Sequence, residues 1–301
     1  MDQSLVDNTL SRTHRPRSLT SGPTISVQLH SLASQASTDL VDTLFRLKTI
    51  GYEAVEPVRR GRMSQATVDF FRRMVGKEFD SLFLPEPGIR DLRDALDLTG
   101  MAVSGCHVWL PDDPKDFGPI LDEQQVLGNK KLVVPGIIDH ERGRAEDFSD
   151  MERIKRLAQT FNNLADQARS NGMKIGYHNH WEEFSTDFDG RSGLELFFDL
   201  VDPEVFAELD VYWVHAAGRD PVELIQTLGA RVELIHVKDG SGEPGQLNTA
   251  VGRGALDIPA ILAAARNVSA YTVEFDRIDD VWPALAESYS YIAEHAPDNQ
   301  P

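Results

Sequence analysis

Residues 150–184 read DMERIKRLAQTFNNLADQARSNGMKIGYHNHWEEF, and the order of signals in that stretch decides the fold. Ile154, Leu157, Phe161, Leu164 and Ala168 recur at three- and four-residue steps, the spacing of one helical face, so 151–170 is expected to be a helix with one apolar side. Asn171-Gly172 supplies a C-terminal stop, and 174–178 is then a short apolar run of strand length. Alternate strand residues share a face, so His178 and His180 project together, with Glu183 on the loop just beyond. Imidazoles and a carboxylate converging at a strand end suit a divalent metal or proton transfer. A pair of hydrogen-bonded, half-buried histidines would read the same way in isolation, so recurrence of the pattern decides between the two.

Working outward, strand-like runs occur at 25–30, 54–57, 102–108, 131–135, 174–178, 205–210, 232–237 and 271–275, each followed by a segment readable as a helix. Leu40 to Ile50 ends at Gly51; Asp220-Pro221 and Asp257-Ile258-Pro259 open two more helices, with Asp as cap and Pro in the first turn. Strands alternating with helices point to parallel βαβ units, and eight of them close a barrel. The expected architecture is therefore α/β, a single-domain (β/α)8 TIM barrel over 24–297. Residues 1–23 are expected to be a disordered tail, and 61–87 an insertion with a helix at 65–75 and an irregular loop around Leu84-Pro85-Glu86-Pro87. A doubly wound sheet would normally carry a glycine-rich turn after its first strand; here that turn reads Leu29-His30-Ser31-Leu32-Ala33-Ser34.

Composition narrows the function. The formal net charge is −18, with no basic stripe to displace counterions from phosphates, which excludes nucleic acid as the expected partner. No apolar run approaches the roughly 18 residues of a membrane span, and the polar N-terminus lacks a secretory h-region; a cytoplasmic protein is the simplest reading. The single Cys106 excludes a multi-cysteine zinc site, and beside inward-facing His107 it is expected to pack outward under a helix.

In a βα barrel the site is built at the C-terminal strand ends. Those ends carry Gln28 and His30, Glu56, His107, then His178, His180 and Glu183, then Asp210, then His236 with Lys238, then Glu274. Five of the nine histidines lie there, more than scatter would give. Asp210, His236 and Glu274 are donors from three consecutive strands, of types that suit Mn²⁺, Mg²⁺, Co²⁺ or Zn²⁺. Lys238 shares the face of His236 and is placed to bind a substrate oxygen or to pair with a site carboxylate. Trp109, Trp181 and Trp213, near the ends of strands three, five and six, offer indole faces for a sugar ring or packing for the rim.

The segments Tyr177-His178-Asn179-His180-Trp181-Glu182-Glu183-Phe184, Glu208-Leu209-Asp210-Val211-Tyr212-Trp213, Ile235-His236-Val237-Lys238-Asp239, Val251-Gly252-Arg253-Gly254-Ala255-Leu256-Asp257 and Val273-Glu274-Phe275 together resemble the xylose isomerase-like barrels of the sugar phosphate isomerase/epimerase group. The resemblance runs from about Ile25 to Ile292. It implies one divalent metal, Mn²⁺ first among candidates, and proton abstraction next to a carbonyl of a sugar or keto-sugar through an enediolate. Carried across, the metal ligands are Asp210, His236 and Glu274, with His178 where epimerases of the group present glutamate; Glu183 is the alternative fourth ligand. Glu274 is the expected base, with His178, His180 or Glu183 as its counterpart, and Gln28, Glu56, His107, the three tryptophans and Lys238 are expected to bind substrate.

The leading expectation is thus a metal-dependent isomerase or epimerase. Loss of one glutamate of the two-base pair leaves room for a lyase of the same fold that dehydrates an inosose or cleaves a 3-keto-glycoside. An apurinic-site endonuclease would need three zinc ions and a basic face. A non-catalytic sugar-binding or partner subunit would keep a pocket and show no turnover. With no phosphate-binding turn, an unphosphorylated substrate is favoured; homo-oligomerisation is common among such barrels.

Overall fold

The computed structural model describes residues 22–61, 64–75, 88–110, 117–136, 138–139, 144–145, 148–243 and 246–297. Residues 1–21 of the expected tail lie outside them. Of the expected insertion, the helix Gln65–Val75 is present, and the loop around Leu84-Pro85-Glu86-Pro87 lies outside the described residues.

Eight strands form the barrel wall: β1 Thr24–Gln28, β2 in two pieces Ala54–Glu56 and Val58–Arg60, β3 in two pieces Ala102–Val103 and Cys106–Trp109, β4 Lys131–Val134, β5 Lys174–His178, β6 Phe206–Asp210, β7 Val232–Val237 and β8 Ala270–Val273. All neighbouring pairs are parallel. The hydrogen-bonded order starts on the second pieces of β2 and β3, passes through β4, β5, β6, β7, β8 and β1, and ends on the first pieces of β2 and β3. A sheet that begins and ends on halves of the same two strands is a closed barrel, and this one is the (β/α)8 TIM barrel that the alternation predicts. The interruption in β2 falls at Pro57, which has no N–H to give the ladder. The interruption in β3 falls at Ser104-Gly105, where a Cβ on Gly105 would lie 2.7 Å from Glu56 Oε1.

The helix Met151–Ser170 is capped by Asp150, whose carboxylate accepts from Arg153 N–H. Ile154, Leu157, Phe161, Leu164 and Ala168 are buried on one face. Phe161 meets the outward ring of Tyr177 on β5, centroids 5.5 Å apart, and Phe197 packs on both. Burial of each such ring is worth about 1.5–3 kcal/mol. Cys106 is buried in the same large core that packs the outer face of the sheet.

Inside the barrel, the bottom is plugged by Val133, Phe206, Leu234 and Ala270. Phe206 fills the space that a side chain at Gly176 would need: a Cβ there would lie 2.3 Å from the ring. Above the plug the inward residues turn polar. The pairing of β6 with β7 slips by one residue between Ala207↔Val232 and Glu208↔Leu234, so that Asp210 comes level with His236. Bulges of this kind re-aim side chains near sites, and here the slip puts two chemically active storeys in register. Among the described residues no helix is long and apolar enough to cross a membrane.

Candidate metal centre and active site

The upper storey is built from strand ends. Asp210 closes β6 and caps the helix Val211–Ala216: its Oδ1 accepts from Tyr212 N–H (3.0 Å) and Trp213 N–H (3.1 Å). That use of one oxygen leaves the other, Oδ2, turned toward His178, 3.8 Å from its Nε2. Asn179 ties the strand ends together by accepting from Asp210 N–H at 2.9 Å. His236 Nδ1 lies 2.7 Å from Glu274 Oε2. One donor atom each from His178, Asp210, His236 and Glu274 falls within 4.8 Å of all the others, and all four residues are buried.

This donor set fits a divalent ion. Ligand distances of about 2.0–2.2 Å require donors a few ångström apart, and two imidazoles with two carboxylates suit first-row metals. Asp210 Oδ2 is buried and makes no hydrogen bond, the state of an oxygen reserved for a cation. A cation of the protein's own also stands there. Lys238 Nζ lies 2.9 Å from Asp210 Oδ2, 2.8 Å from Glu274 Oε2 and 2.8 Å from Asp276 Oδ1, with the side chain fully enclosed.

The storey below holds Gln28, Glu56, His107 and Glu208. Glu208 Oε2 lies 2.6 Å from His107 Nε2, 3.1 Å from His178 Nδ1 and 3.2 Å from His236 Nε2. Glu56 Oε2 lies 2.6 Å from His236 Nε2 and accepts from Gln28 Nε2 at 3.0 Å. The rings of His107 and His236 stack with centroids 5.0 Å apart. Gln28, Glu56 and His107 therefore do not stand at the mouth, where a substrate-binding role was expected; they lie enclosed beneath the upper donors. The reason is local for Glu56, because the strand resumes after Pro57, so a residue read as a strand end sits below the rim.

Electrostatics separate the groups. Burial pushes Asp210 up to about 6, against the pull of Lys238 and His236. Burial would raise Glu274 too, but Lys238 and His236 outweigh it and hold it well below the usual carboxylate range. Lys238 is lowered by burial and raised more by Asp210, Asp276 and Glu274, so it stays an ammonium. Burial, helped by His236, keeps His178 neutral. Burial and then Lys238 push His180 down to about 3. Burial and then Glu208 push Glu56 up to about 7, while His236 and His107 overcome burial and keep Glu208 ionised.

His180 sits half-buried at the rim, its ring 5.0 Å from that of His178 and 6.3 Å from that of Trp213. Trp213 also faces Lys238, whose ammonium is 5.8 Å from the ring. Trp181 is exposed, and Trp109 ends β3 half-buried. Glu183 is turned elsewhere: its Oε1 accepts from Tyr177 O–H at 2.5 Å and its Oε2 from His180 N–H at 3.0 Å. Tyr177 faces the outer core, so Glu183 braces the loop from behind and lies outside the cluster of four upper donors. Two residues of the site escaped the sequence reading. Asp276 lies beyond the end of β8; Glu208 lies two before Asp210 on the same face, and a glutamate inside an otherwise apolar buried strand was the available signal.

An inosose dehydratase of Lacticaseibacillus casei is 28% identical over 167 residues, 54% of this chain and 53% of that protein, so the match spans about half the length of the relative. A solved sugar phosphate isomerase/epimerase from Parabacteroides distasonis superposes with a TM-score of 0.70 at 24% identity, covering 91% of this chain and 95% of the other. A xylose isomerase-like TIM barrel protein from Mycobacterium smegmatis, in complex with magnesium, superposes with a TM-score of 0.63 at 14% identity, covering 92% and 97%. At these identities the structural likeness establishes the fold alone. Residues 44–271, most of the chain, match the family described as xylose isomerase-like TIM barrel, and the chain belongs to that family.

Proposed function

We propose that the barrel removes a proton next to the carbonyl of an unphosphorylated sugar, keto-sugar or inosose, and that the reaction then runs to elimination of water rather than to two-face epimerisation. The observation that carries this reading is the asymmetry of the rim. Glu274 stands ionised on the β8 side, whereas the β5 side presents the imidazoles of His178 and His180, and Glu183 is bound to Tyr177 and the His180 backbone. The relative that is an inosose dehydratase supports the same sequel.

A divalent ion held by His178, Asp210, His236 and Glu274, with Mn²⁺ the first candidate and Mg²⁺, Co²⁺ or Zn²⁺ the others, would supply Lewis-acid chemistry at the carbonyl oxygen. Glu274 takes the proton from the carbon beside the carbonyl. The electron pair left behind forms the carbon–carbon double bond as the β carbon–oxygen bond breaks. Lys238, held as an ammonium, delivers a proton to the departing oxygen, which leaves as water. Trp213 lies beside both Lys238 and His180.

The second reading, isomerisation or epimerisation, is favoured by His180, a neutral imidazole at the rim beside His178 and Trp213. One experiment separates them: inososes and 3-keto-sugars incubated in deuterated buffer with Mn²⁺ or with a chelator. Metal-dependent exchange of a carbon-bound hydrogen together with a near-ultraviolet enone band is the expected result. Exchange without the band would establish the isomerase reading, and absence of exchange with every substrate would leave a binding subunit.

A further inference from the structure

His178 and His236 each place one ring nitrogen in each storey. His178 Nε2 faces Asp210 in the upper storey, and its Nδ1 faces Glu208 below. His236 Nδ1 faces Glu274 above, and its Nε2 faces Glu56 and Glu208 below. His178 is neutral and carries one ring proton, so the nitrogen that donates downward decides which one offers a lone pair upward; His236, charged between Glu274 and Glu56, carries a proton on each nitrogen.

We propose that Glu208 is a positioning residue that sets the tautomer of His178: it draws the ring proton onto Nδ1, leaving His178 Nε2 as a lone pair for the upper donor set. Carboxylates behind metal-bound histidines act in this way in many sites. Here the storey is built for it. Glu208 is fully enclosed, and its Oε2 faces the rings of His107, His178 and His236 together, so it meets His178 Nδ1 as an acceptor. Gln28 holds Glu56 from one side, and Gly105 leaves room for its other oxygen. His107 donates to Glu208 from a third direction and stacks on His236, which fixes the plane of that ring.

An unbraced neutral histidine carries its proton mainly on Nε2. His178 needs the opposite tautomer, so Glu208 reverses a default.

The inference rests on the metal reading for its purpose, but its test does not. Long-range proton–nitrogen NMR of protein labelled in its histidines, treated with chelator, reports each tautomer directly; Mn²⁺ affinity is measured separately by calorimetry. His178 in the unaltered protein is expected to carry its proton on Nδ1. Glu208→Leu should move it to Nε2 and weaken Mn²⁺ binding about 10–100-fold. Glu208→Gln, whose carbonyl still accepts, should restore the tautomer and most of the affinity. A proton on His178 Nε2 in the unaltered protein would overturn the proposal even if Glu208→Leu does not fold; so would Nδ1 protonation that survives Glu208→Leu. Correct tautomers in a protein that binds no Mn²⁺ would sink the metal reading and uphold the positioning role.

Discussion

Asp210 offers a way to separate architecture from chemistry, because its two oxygens do different jobs. Oδ1 caps the helix Val211–Ala216 through Tyr212 and Trp213, and Oδ2 faces His178 and Lys238. Asp210→Asn keeps an oxygen for the cap and replaces Oδ2 by a donor; Asp210→Ala removes both. Both variants take one of three carboxylates from the buried Lys238 ammonium, which keeps Glu274 and Asp276. That shared loss is smaller than the roughly 3–5 kcal/mol of stranding a buried charge. The cap is the hydrogen-bonding feature that Asp210→Asn keeps and Asp210→Ala loses, about 1 kcal/mol, which for a chain of this length is about 2 °C in melting temperature. Calorimetric scans of the metal-free proteins should place Asp210→Ala about 2 °C below Asp210→Asn, while titration shows both losing Mn²⁺ affinity by at least about 100-fold, the upper range for loss of an outer partner. Full affinity in Asp210→Asn would show that Oδ2 is not a ligand. Identical melting of the two variants would show that the cap does not hold Asp210 in place.

Other outcomes follow from neighbouring residues. Lys238→Met should tighten Mn²⁺ binding, since the ammonium draws on the Asp210 and Glu274 oxygens that the ion needs, and should lower turnover; unchanged affinity would place Lys238 elsewhere in the working enzyme. Glu274→Gln should reduce kcat by at least about 10²-fold with the fold retained, as expected for a lost base; full activity would remove Glu274 from that role. Gly176→Ala should destabilise by about 1–3 kcal/mol, because the new Cβ meets the Phe206 ring, and a neutral result in denaturant titration would contradict the packing of the barrel floor. Burial raises Glu183 from 4.5 to about 7, so the folded protein binds that proton more tightly than the unfolded chain. Its contribution is complete below about pH 4.5 and is lost as pH rises through 7, on the order of 3 kcal/mol. Wild type should therefore lose stability relative to Glu183→Gln between pH 5 and pH 8, and a gap that does not move would show that the Glu183 carboxyl is solvated.

The barrel was legible because its signals are local: the helix 151–170, its Asn-Gly stop and the strand after it are written in spacing alone, and Asp220 and Asp257 cap as their motifs state. The convergence of His178, Asp210, His236 and Glu274 was legible through strand order. What the sequence did not disclose is height along the barrel axis. Glu56 and His107 read as rim residues and lie below the rim: Pro57 interrupts β2 without ending it, and β3 runs on past His107 to Trp109. Glu208 was passed over because the strand was read only at its last residue. Glu183 was misplaced for a different reason: its partner, the Tyr177 hydroxyl, faces the outer core, and strand alternation says where Tyr177 points but not that a loop carboxylate will follow it.

The central claim is that a divalent ion sits between His178, Asp210, His236 and Glu274. Anomalous diffraction from crystals grown with Mn²⁺, recorded at the manganese edge, tests it most directly. The account predicts one peak about 2.0–2.4 Å from those four side chains, with Glu208 and Glu56 still bonded to the far nitrogens of the two imidazoles. A peak among His107, Glu208 and His236 instead, or no peak with Lys238 still bridging Asp210 and Glu274, would contradict it.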